Sequence, residues 1–314
     1  LANTTFTVGS GADVSGAVRF YVNGAHLVVD GGSLRATSTA TSNHPIGSSN
    51  PSSVTVRNGG TFSVASDVWV GFTAHGQLIG DGGTFDLGSK LLIMSVRNNV
   101  QSVLALTNAT LSCGNIQFGY SSSWTSVGRQ TVILKDSVAR LSKFTGSTAN
   151  LNSNSSLLFD GATLVPKAAT ADFLPASNKI PTPTLGAGGL VVSNNYDVTI
   201  AKGLSGAGCL VKAGDATLTL SGTHAFTGGI DVREGTLALT PGAVFANQTL
   251  AMADGTTLKL KYSPDHGFPT ANLALALDAN TDGSVTVEGS QTTPGESANK
   301  KITFPGTRIS EKII

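Results

Sequence analysis

The sequence contains the heptapeptide Val56-Arg57-Asn58-Gly59-Gly60-Thr61-Phe62, which joins the end of one alternating strand to the start of another through a tight turn. Asx and Gly residues tolerate the positive φ that such a corner needs. Clear copies of the pattern are Val28–Leu34 and Ile79–Phe85, and looser copies are Leu106–Leu111, Phe159–Leu164, Ala213–Leu218, Val232–Leu237 and Ala253–Leu258. A pattern that returns this often indicates a repeat protein.

The spacing of the copies suggests the size of the repeating unit. Most neighbouring copies lie 19–28 residues apart, and a degenerate copy near Asp136–Leu141 falls within one of two longer intervals. A unit of this length fits one coil of a β-solenoid. One coil alone cannot bury its inward row of Val, Leu, Ile and Phe, but stacking on a neighbour about 4.8 Å away buries that row and pairs the backbone. We therefore predict an all-β fold, an elongated single-stranded β-solenoid.

The Asx positions of the turns are expected to stack into a ladder of their own. Its members would be Asp30, Asn58, Asp81 and Asn108, an alternation of charge and amide that keeps carboxylates from being neighbours. Such a ladder fits either an Asx-turn at each corner or a row of calcium ligands. The glycine–aspartate nonapeptide of calcium-binding β-rolls is absent from the sequence, which favours the turn.

Composition and charge exclude several classes of protein. Of 314 residues, 20 are Lys or Arg and 19 are Asp or Glu, so a net charge of +1 gives no field for nucleic acid. The sequence has no apolar run of about 18 residues, so we expect no membrane-spanning helix. The two cysteines, Cys113 and Cys209, would lie several coils apart, and we predict two unpaired, mostly buried thiols.

Four regions can be distinguished along the chain. Residues 1–26 suit strands that cap the first coil, and residues 27–260 form the coils. Within them, residues 166–184 contain four prolines, which remove ladder donors, so we predict a surface loop there. Residues 261–314 are predicted to form a C-terminal β-hairpin and capping region.

One stretch in the second half resembles a known family. It contains Leu204-Ser205-Gly206-Ala207-Gly208, then Leu210-Val211-Lys212-Ala213-Gly214, then Thr217-Leu218-Thr219-Leu220-Ser221-Gly222. Residues 203–237 as a whole resemble the passenger-associated transport repeat, also called the autotransporter-associated β-strand repeat. His224 departs from that pattern, because the family usually has Asn there, and so does the pair Asp215-Ala216.

The resemblance implies a fold and a setting. The family's fold is a right-handed parallel β-helix in secreted or surface-anchored bacterial proteins, and its repeat is associated with export and folding of the passenger rather than with catalysis. It therefore implies a secreted or cell-surface location and an interaction with the outer-membrane translocation machinery. The chain begins Leu1-Ala2-Asn3, with neither a start Met nor a signal peptide, so we expect a fragment of a longer protein.

Metal and cofactor chemistry find little support in the sequence. The five histidines, namely His26, His44, His75, His224 and His266, do not pair at metal-ligand spacing. Asp278, Asn280 and Asp282 begin like a calcium loop, but the closing Glu288 stands one residue short of the required position, so a hairpin turn is the preferred interpretation. We predict no cofactor and no metal, with these three residues as the weak metal candidate.

The sequence also lacks a convincing catalytic set. Asp81 and Asp86 are the nearest candidate pair for glycoside hydrolysis, but residues five apart on a strand face opposite sides. Arg35 and Arg57 are candidates to share a face near the Asx ladder, but no other groups converge on them. A serine-nucleophile elbow is absent.

Surface aromatic residues are the remaining candidate for binding. Tyr120 and Trp124 flank Ser121-Ser122-Ser123 and could form a contact patch for a sugar or a protein, or else a loop packed over the side of a coil. The preferred function is a non-enzymatic scaffold or stalk of an autotransporter-like passenger. The alternative is an adhesin or glycan-binding module with host or environmental glycans or surface proteins as partners, and a β-helix carbohydrate-active enzyme is less favoured.

Overall fold

The structure is a computed structural model that describes residues 4–17, 19–39, 43–95, 97–120, 127–240, 243–245, 249–262, 284–289 and 299–303. All regular elements in these ranges are β-strands. The chain divides into two units, residues 1–158 with 177–181 and residues 159–176 with 182–314. Among the described residues, no helix is long and apolar enough to cross a membrane.

The first unit is built from short strands that return to the same three sheets. Its strands are β1 (Thr4–Val8), β2 (Asp13–Gly16), β3 (Ala25–Asp30), β4 (Ser33–Ala36), β5 (His44–Ile46), β6 (Ser52–Arg57), β7 (Thr61–Val64), β8 (Val68–Val70), β9 (Gly76–Asp81), β10 (Thr84–Asp86), β11 (Leu92–Met94), β12 (Ser102–Thr107), β13 (Thr110–Ser112), β14 (Asn115–Phe118), β15 (Gln130–Lys135), β16 (Val138–Leu141) and β17 (Lys143–Gly146). Sheet A1 has the order β1-β3-β6-β9-β12-β15, sheet B1 the order β2-β4-β7-β10-β13-β16 and sheet C1 the order β5-β8-β11-β14-β17. Strand β18 (Ser156–Asp160) contains the boundary between the units.

The register shows that each coil passes once through A1, B1 and C1. Leu34, Phe62, Phe85, Leu111 and Ala139 stand opposite one another in parallel neighbouring strands of B1. Their numbering gives coils of 23–28 residues, which confirms the period predicted from the heptapeptide. Ala139 belongs to the degenerate copy, so that copy forms a regular coil.

The second unit repeats the same design with shorter coils. Its strands are β19 (Ala162–Pro166), β20 (Thr170–Leu174), β21 (Pro183–Leu185), β22 (Leu190–Ser193), β23 (Val198–Ile200), β24 (Ser205–Gly206), β25 (Leu210–Ala213), β26 (Thr217–Leu220), β27 (Thr223–Phe226), β28 (Ile230–Val232), β29 (Thr236–Leu239), β30 (Val244–Phe245), β31 (Leu250–Met252), β32 (Thr257–Tyr262), β33 (Ser284–Gly289) and β34 (Asn299–Thr303). They form sheet A2 (β21-β24-β27-β30), sheet B2 (β19-β22-β25-β28-β31) and sheet C2 (β20-β23-β26-β29-β32-β33-β34). Leu190, Leu210, Ile230 and Leu250 stand opposite one another, so a coil here takes 20 residues.

Both units are parallel β-solenoids, which confirms the predicted fold class. The one antiparallel pair among the described strands joins β33 to β34 within the region predicted to cap the C-terminus. The predicted hairpin turn at residues 280–283 lies outside the described residues.

The core of each coil is a row of apolar side chains that repeats from strand to strand. In B1, the rings of Phe62 and Phe85 meet edge to face with centroids 6.2 Å apart, and both side chains are buried. Burying one such side chain stabilises the fold by about 1.5–3 kcal/mol, so each added coil gains from the row beneath it. Gly80 leaves a gap in the inward row of A1, and Phe85 occupies it, since a Cβ at Gly80 would meet the Phe85 ring at 2.9 Å.

The predicted Asx ladder is wrong, because the register separates its members into two rows. Asp30 stands opposite Arg57 in A1, and Asp81 stands opposite Thr107, whereas Asn58 and Asn108 each lie one residue further along. That later row is the corner with positive φ, and its members are Gly31, Asn58, Gly82, Asn108 and Asp136. The copies look alike in sequence, but two residues with positive φ, Asn58 and Gly59, form this turn where Gly31 or Gly82 alone forms it in the other two clear copies. The extra residue makes Asn58 align with Asp30 in sequence, although Asn58 lies one position later in the sheet.

The copies also belong to different corners. In the first unit, the heptapeptide turn leads from an A1 strand into a B1 strand, as β6 leads into β7. In the second unit, the copy at Ala213–Leu218 leads from β25 of B2 into β26 of C2. The same Gly-containing turn serves two corners, because either corner needs a residue with positive φ.

The Pro-rich segment 166–184 is not wholly a surface loop, which corrects that prediction. Strand β20 lies within it and pairs in parallel with β23 through a register shift between Thr170 and Leu174. Pro166 ends β19, Pro175 follows β20 and Pro183 begins β21. Proline is compatible with strands at their ends, where its missing N–H removes no ladder bond. Within the segment, residues 167–169 and 175–182 lie between strands.

Candidate functional site

The most unusual side chain of the second unit is Lys212, which is fully buried inside the solenoid on β25. Its ammonium donates hydrogen bonds to the main-chain carbonyl oxygens of Ala213 and Glu234, each at 3.0 Å, and to that of Gly214. These three acceptors match the three protons of an ammonium group. Because Glu234 lies one coil further along the chain, Lys212 joins two successive coils.

The carboxylate of Glu234 completes this connection from the other side. Its Oε2 accepts the backbone N–H of Gly214 at 2.5 Å. Burial lowers the pKa of Lys212 to about 8, while Glu234, Asp215 and Asp197 act in the opposite direction by favouring the ammonium. At neutral pH the group therefore keeps its charge and all three donors.

His224 forms a second connection between coils. Its Nδ1 accepts the backbone N–H of Leu204 in the preceding coil at 3.3 Å, and its Nε2–H donates to the carbonyl oxygen of Ser221 at 3.0 Å. The ring stacks on Phe245 of the following coil with centroids 5.0 Å apart and an interplanar angle of 13°. Burial lowers the pKa of His224 to about 4, so the imidazole is neutral near pH 7 and its role is structural.

The described histidines of the first unit bond across coils in the same way. His44 Nδ1 accepts the backbone N–H of Phe20 at 2.9 Å, and His75 Nδ1 accepts that of Gln101 at 2.9 Å. His26 Nδ1 lies 2.8 Å from Ser53 Oγ. Burial also lowers the pKa of His44. Each of these rings connects neighbouring coils, a use that the sequence did not indicate.

A polar groove of about 420 Å³ lies on the outer face of B1 in the first unit. Its first row of side chains crosses four neighbouring strands, β2, β4, β7 and β10, and consists of Ser15, Arg35, Ser63 and Asp86. A second row lies two residues earlier on each strand and includes Asp13, Ser33 and Thr61. Leu34 and Thr37 complete the lining.

The described lining of the groove combines one cation, Arg35, with two anions, Asp13 and Asp86. Asp13 accepts a hydrogen bond from Ser33 Oγ, and Asp86 accepts the backbone N–H of Gly88 at 3.0 Å. Within the described part of the chain, the Arg35 guanidinium makes no hydrogen bond or ion pair. The groove therefore offers a guanidinium, two carboxylates and several hydroxyl groups to solvent.

Sequence reasoning did not find Asp13 or bring Arg35 and Asp86 together, although a signal was present. In each copy, the apolar residue that closes the pattern points inward, so the residues on either side of it point outward. The flanking pairs are Ser33 and Arg35, Thr61 and Ser63, and Thr84 and Asp86. Aligning the copies on the closing residue would have placed these pairs on one face.

The other charged candidates are dispersed. Asp86 lines the groove, whereas Asp81 ends β9 of a different sheet. Arg57 forms an ion pair with Asp30 at 2.7 Å, and Asn58 Nδ2 donates to the same carboxylate at 2.6 Å, which lowers the pKa of Asp30. Among the described residues, no group of three or more His, Cys, Asp or Glu could hold a metal. The candidate calcium residues Asp278, Asn280 and Asp282 lie outside the described residues.

Tyr120 of the proposed contact patch packs against another aromatic residue. Its ring lies 4.5 Å from that of Trp69, which in turn lies 5.0 Å from that of Phe72, centroid to centroid. Tyr120 is half-buried in this cluster, and Trp124 lies outside the described residues. The patch stays a prediction.

Both cysteines are thiols rather than halves of a disulfide, as predicted. Cys113 is fully buried, and Cys209 is half-buried, less than expected. Cys209 lies beside Gly189, where an added Cβ would meet its Sγ at 2.9 Å. The described coils are therefore held without disulfides, by stacking, by hydrogen bonds and, at Asp30 and Arg57, by an ion pair.

Comparison with known proteins identifies the coil that contains Lys212. Residues 210–239 match the family model described as passenger-associated-transport-repeat. No curated protein matches the chain significantly, and no solved structure does. The matched residues run from β25 to β29 and include both Lys212 and His224. The chain is thus a parallel β-solenoid that carries a passenger-associated-transport repeat, in keeping with a passenger-like β-helix of the autotransporter type.

Proposed function

We propose that the protein is a non-enzymatic scaffold of an autotransporter-like passenger, and that the repeat at 203–237 assists its export and folding. One observation carries the proposal: the repeat forms nearly two coils of 20 residues, and its buried side chains bond these coils to each other and to the coil that follows. His224 accepts from Leu204 and stacks on Phe245, and Lys212 donates to Glu234. Each of these contacts forms only when a neighbouring coil is in place.

This arrangement suits folding by addition of one coil at a time. Strand β25 pairs with β22 on one side and β28 on the other, and β26 pairs with β23 and β29. A solenoid coil contacts only its neighbours, so folding can propagate along the chain as successive residues emerge. A coil locked to both neighbours would resist reversal of the last step and so favour net movement outward.

The location and partners follow from this role. We place the protein outside the cell or on its surface, with the outer-membrane translocation machinery as a transient partner. We propose no catalytic role, because among the described residues the buried Lys212, His224 and His44 side chains each hold coils together. Recognition of a glycan or a surface protein is the second candidate function, and the polar groove around Arg35 favours it.

Export of the full chain tests the scaffold proposal. The chain would be placed between a signal peptide and a translocator domain in a Gram-negative host, and surface exposure measured by protease accessibility. We expect Lys212→Met and His224→Ala together to lower the surface fraction several-fold, with Arg140→Gln, an exposed change in the first unit, as the control. Equal surface fractions for the double variant and the control would overturn the proposal.

A further inference from the structure

Some hydrogen-bonding side chains in the groove on B1 have no partner among the described residues. Besides Arg35, the hydroxyl groups of Thr61 and Ser63 make no hydrogen bond within the described residues. They lie side by side on β7, between Arg35 of β4 and Asp86 of β10. A surface that presents hydrogen-bond donors and acceptors in fixed rows is suited to a ligand that also carries both donors and acceptors.

The charges of the groove limit what that ligand can be. Asp13 and Asp86 stand at opposite ends, with Arg35 between them in the strand order β2-β4-β7-β10. Two carboxylates against one guanidinium disfavour an anion. They accept hydrogen bonds from hydroxyl groups at either end, while the guanidinium donates at the middle. The matching chemistry is an uncharged molecule rich in hydroxyl groups.

The dimensions favour a saccharide over a peptide. Neighbouring strands present equivalent side chains about 4.8 Å apart, whereas residues of an extended peptide advance by about 3.3 Å. A pyranose ring is comparable in width to one strand spacing, so successive sugars can meet successive strands. The volume of about 420 Å³ falls within the range of small-molecule sites, roughly 300–1,000 Å³.

We propose that the groove formed by Asp13, Ser33, Arg35, Thr61, Ser63 and Asp86 binds a short neutral oligosaccharide. The sugar lies across β2, β4, β7 and β10, with its hydroxyl groups on the two side-chain rows. None of the described residues that line the groove is aromatic, so binding depends on hydrogen bonds and is weak for a single site. The proposal specifies the glycan form of the second candidate function and is independent of the export role.

Saturation-transfer NMR and calorimetry on the full chain test this site. The probes are cellotriose, maltotriose and N,N′,N″-triacetylchitotriose, with trigalacturonic acid as the acidic comparison. We expect at least one neutral probe to bind and the acidic one to bind at least tenfold more weakly. Arg35→Gln and Asp86→Asn should each weaken binding at least tenfold.

Arg140→Gln provides the matched control, because Arg140 lies in the same side-chain row two strands beyond Asp86 and outside the groove lining. Binding to this variant should stay within twofold of the parent. Circular dichroism and the melting temperature confirm that each exposed substitution leaves the fold intact. The proposal is overturned if no neutral probe binds, if the acidic probe binds best, or if Arg35→Gln and Arg140→Gln behave alike. None of these results bears on export, which is measured separately.

Discussion

The ammonium of Lys212 lies 3.0 Å from the main-chain carbonyl oxygen of Glu234, and the Glu234 carboxylate accepts the N–H of Gly214. Glu234 is the acceptor in both hydrogen bonds, and both join successive coils. A fully buried lysine is rare unless its charge is matched, and here three carbonyl oxygens and a nearby carboxylate match it. This lysine lies within residues 210–239, which match the passenger-associated-transport-repeat model, and connects successive coils in the structure.

Replacing this lysine by an apolar side chain of similar length should destabilise the second unit. Lys212→Met leaves three buried carbonyl oxygens without their donor, and each unpaired polar group costs about 1–3 kcal/mol. We expect a loss of about 3 kcal/mol or more in the free energy of unfolding, measured by urea denaturation at pH 7. Lys135→Met, at an exposed position, serves as the control and should change stability by less than about 0.5 kcal/mol. Equal effects of the two changes would contradict a structural role for the Lys212 ammonium.

His224 should make the second unit sensitive to acid. Its pKa is about 4 in the folded protein against 6.5 for the free group, so only the unfolded chain takes up the proton between these values. The contribution of neutral His224 to the free energy of unfolding is therefore fully present above pH 6.5. It falls by about 1.4 kcal/mol per pH unit as the pH drops toward 4.

The variant His224→Asn isolates this effect. The amide keeps an acceptor for Leu204 but loses the stack on Phe245 and the titration. Its deficit relative to the parent, measured by urea denaturation, should shrink by about 2 kcal/mol between pH 8 and pH 5. A deficit that is constant across this range would show that the imidazole is not held neutral.

The row of corner residues with positive φ predicts which glycines can be replaced by alanine without backbone strain. A Cβ at Gly82 or at Gly9 would meet nothing within 4 Å, but only Gly82 has a positive φ, of 71°. We expect Gly82→Ala to cost about 1–2 kcal/mol from backbone strain alone, and Gly9→Ala to be nearly neutral. Gly82→Asn should cost less than Gly82→Ala, because Asn58 and Asn108 already occupy this row. Thermal unfolding of the three variants measures these differences, and equal costs for Gly82→Ala and Gly9→Ala would contradict the assigned corner.

The two thiols should differ in reactivity. Cys113 is fully buried, whereas Cys209 is half-buried, so a thiol-reactive chromophore should reach Cys209 first in the native protein. We expect the Cys209 thiol to react rapidly in the native protein, so Cys209→Ser abolishes the rapid reaction. The Cys113 thiol should react only after unfolding. If Cys113→Ser abolished the rapid reaction of the native protein instead, this result would contradict the burial of Cys113.

The sequence predicted the solenoid because the heptapeptide combines strand alternation with a turn at a regular interval. It did not predict the register, because one extra glycine after Asn58 makes Asp30 and Asn58 look equivalent in sequence. In the sheet, the residue opposite Asp30 is Arg57. Nor did it predict the strand β20, because the prolines of the 166–184 segment suggest a break. Their effect depends on whether they fall inside a strand or at its end.

The sites were harder to predict than the fold. The repeat was found because Lys212 and the glycines around it stand at fixed spacing within one stretch. The groove was not, because Asp13, Arg35 and Asp86 are far apart in sequence and meet only through the register of B1. The bonds of His224 to other coils were equally hidden, since their partners lie about one coil away in either direction.

The most direct measurement of the central claim compares two deletions that each remove one whole coil. Removing residues 210–229 brings Ile230 to the register position of Leu210, and removing residues 76–101 brings Ser102 to that of Gly76, so both preserve strand pairing. The surface fraction of each exported chain is measured by protease accessibility, with circular dichroism of the purified chains as the check on folding. We predict that deleting 210–229, which removes most of the repeat, lowers the surface fraction several-fold, while deleting 76–101 leaves it within twofold of the parent. Equal surface fractions for the two folded deletions would contradict a specific role of the repeat in export.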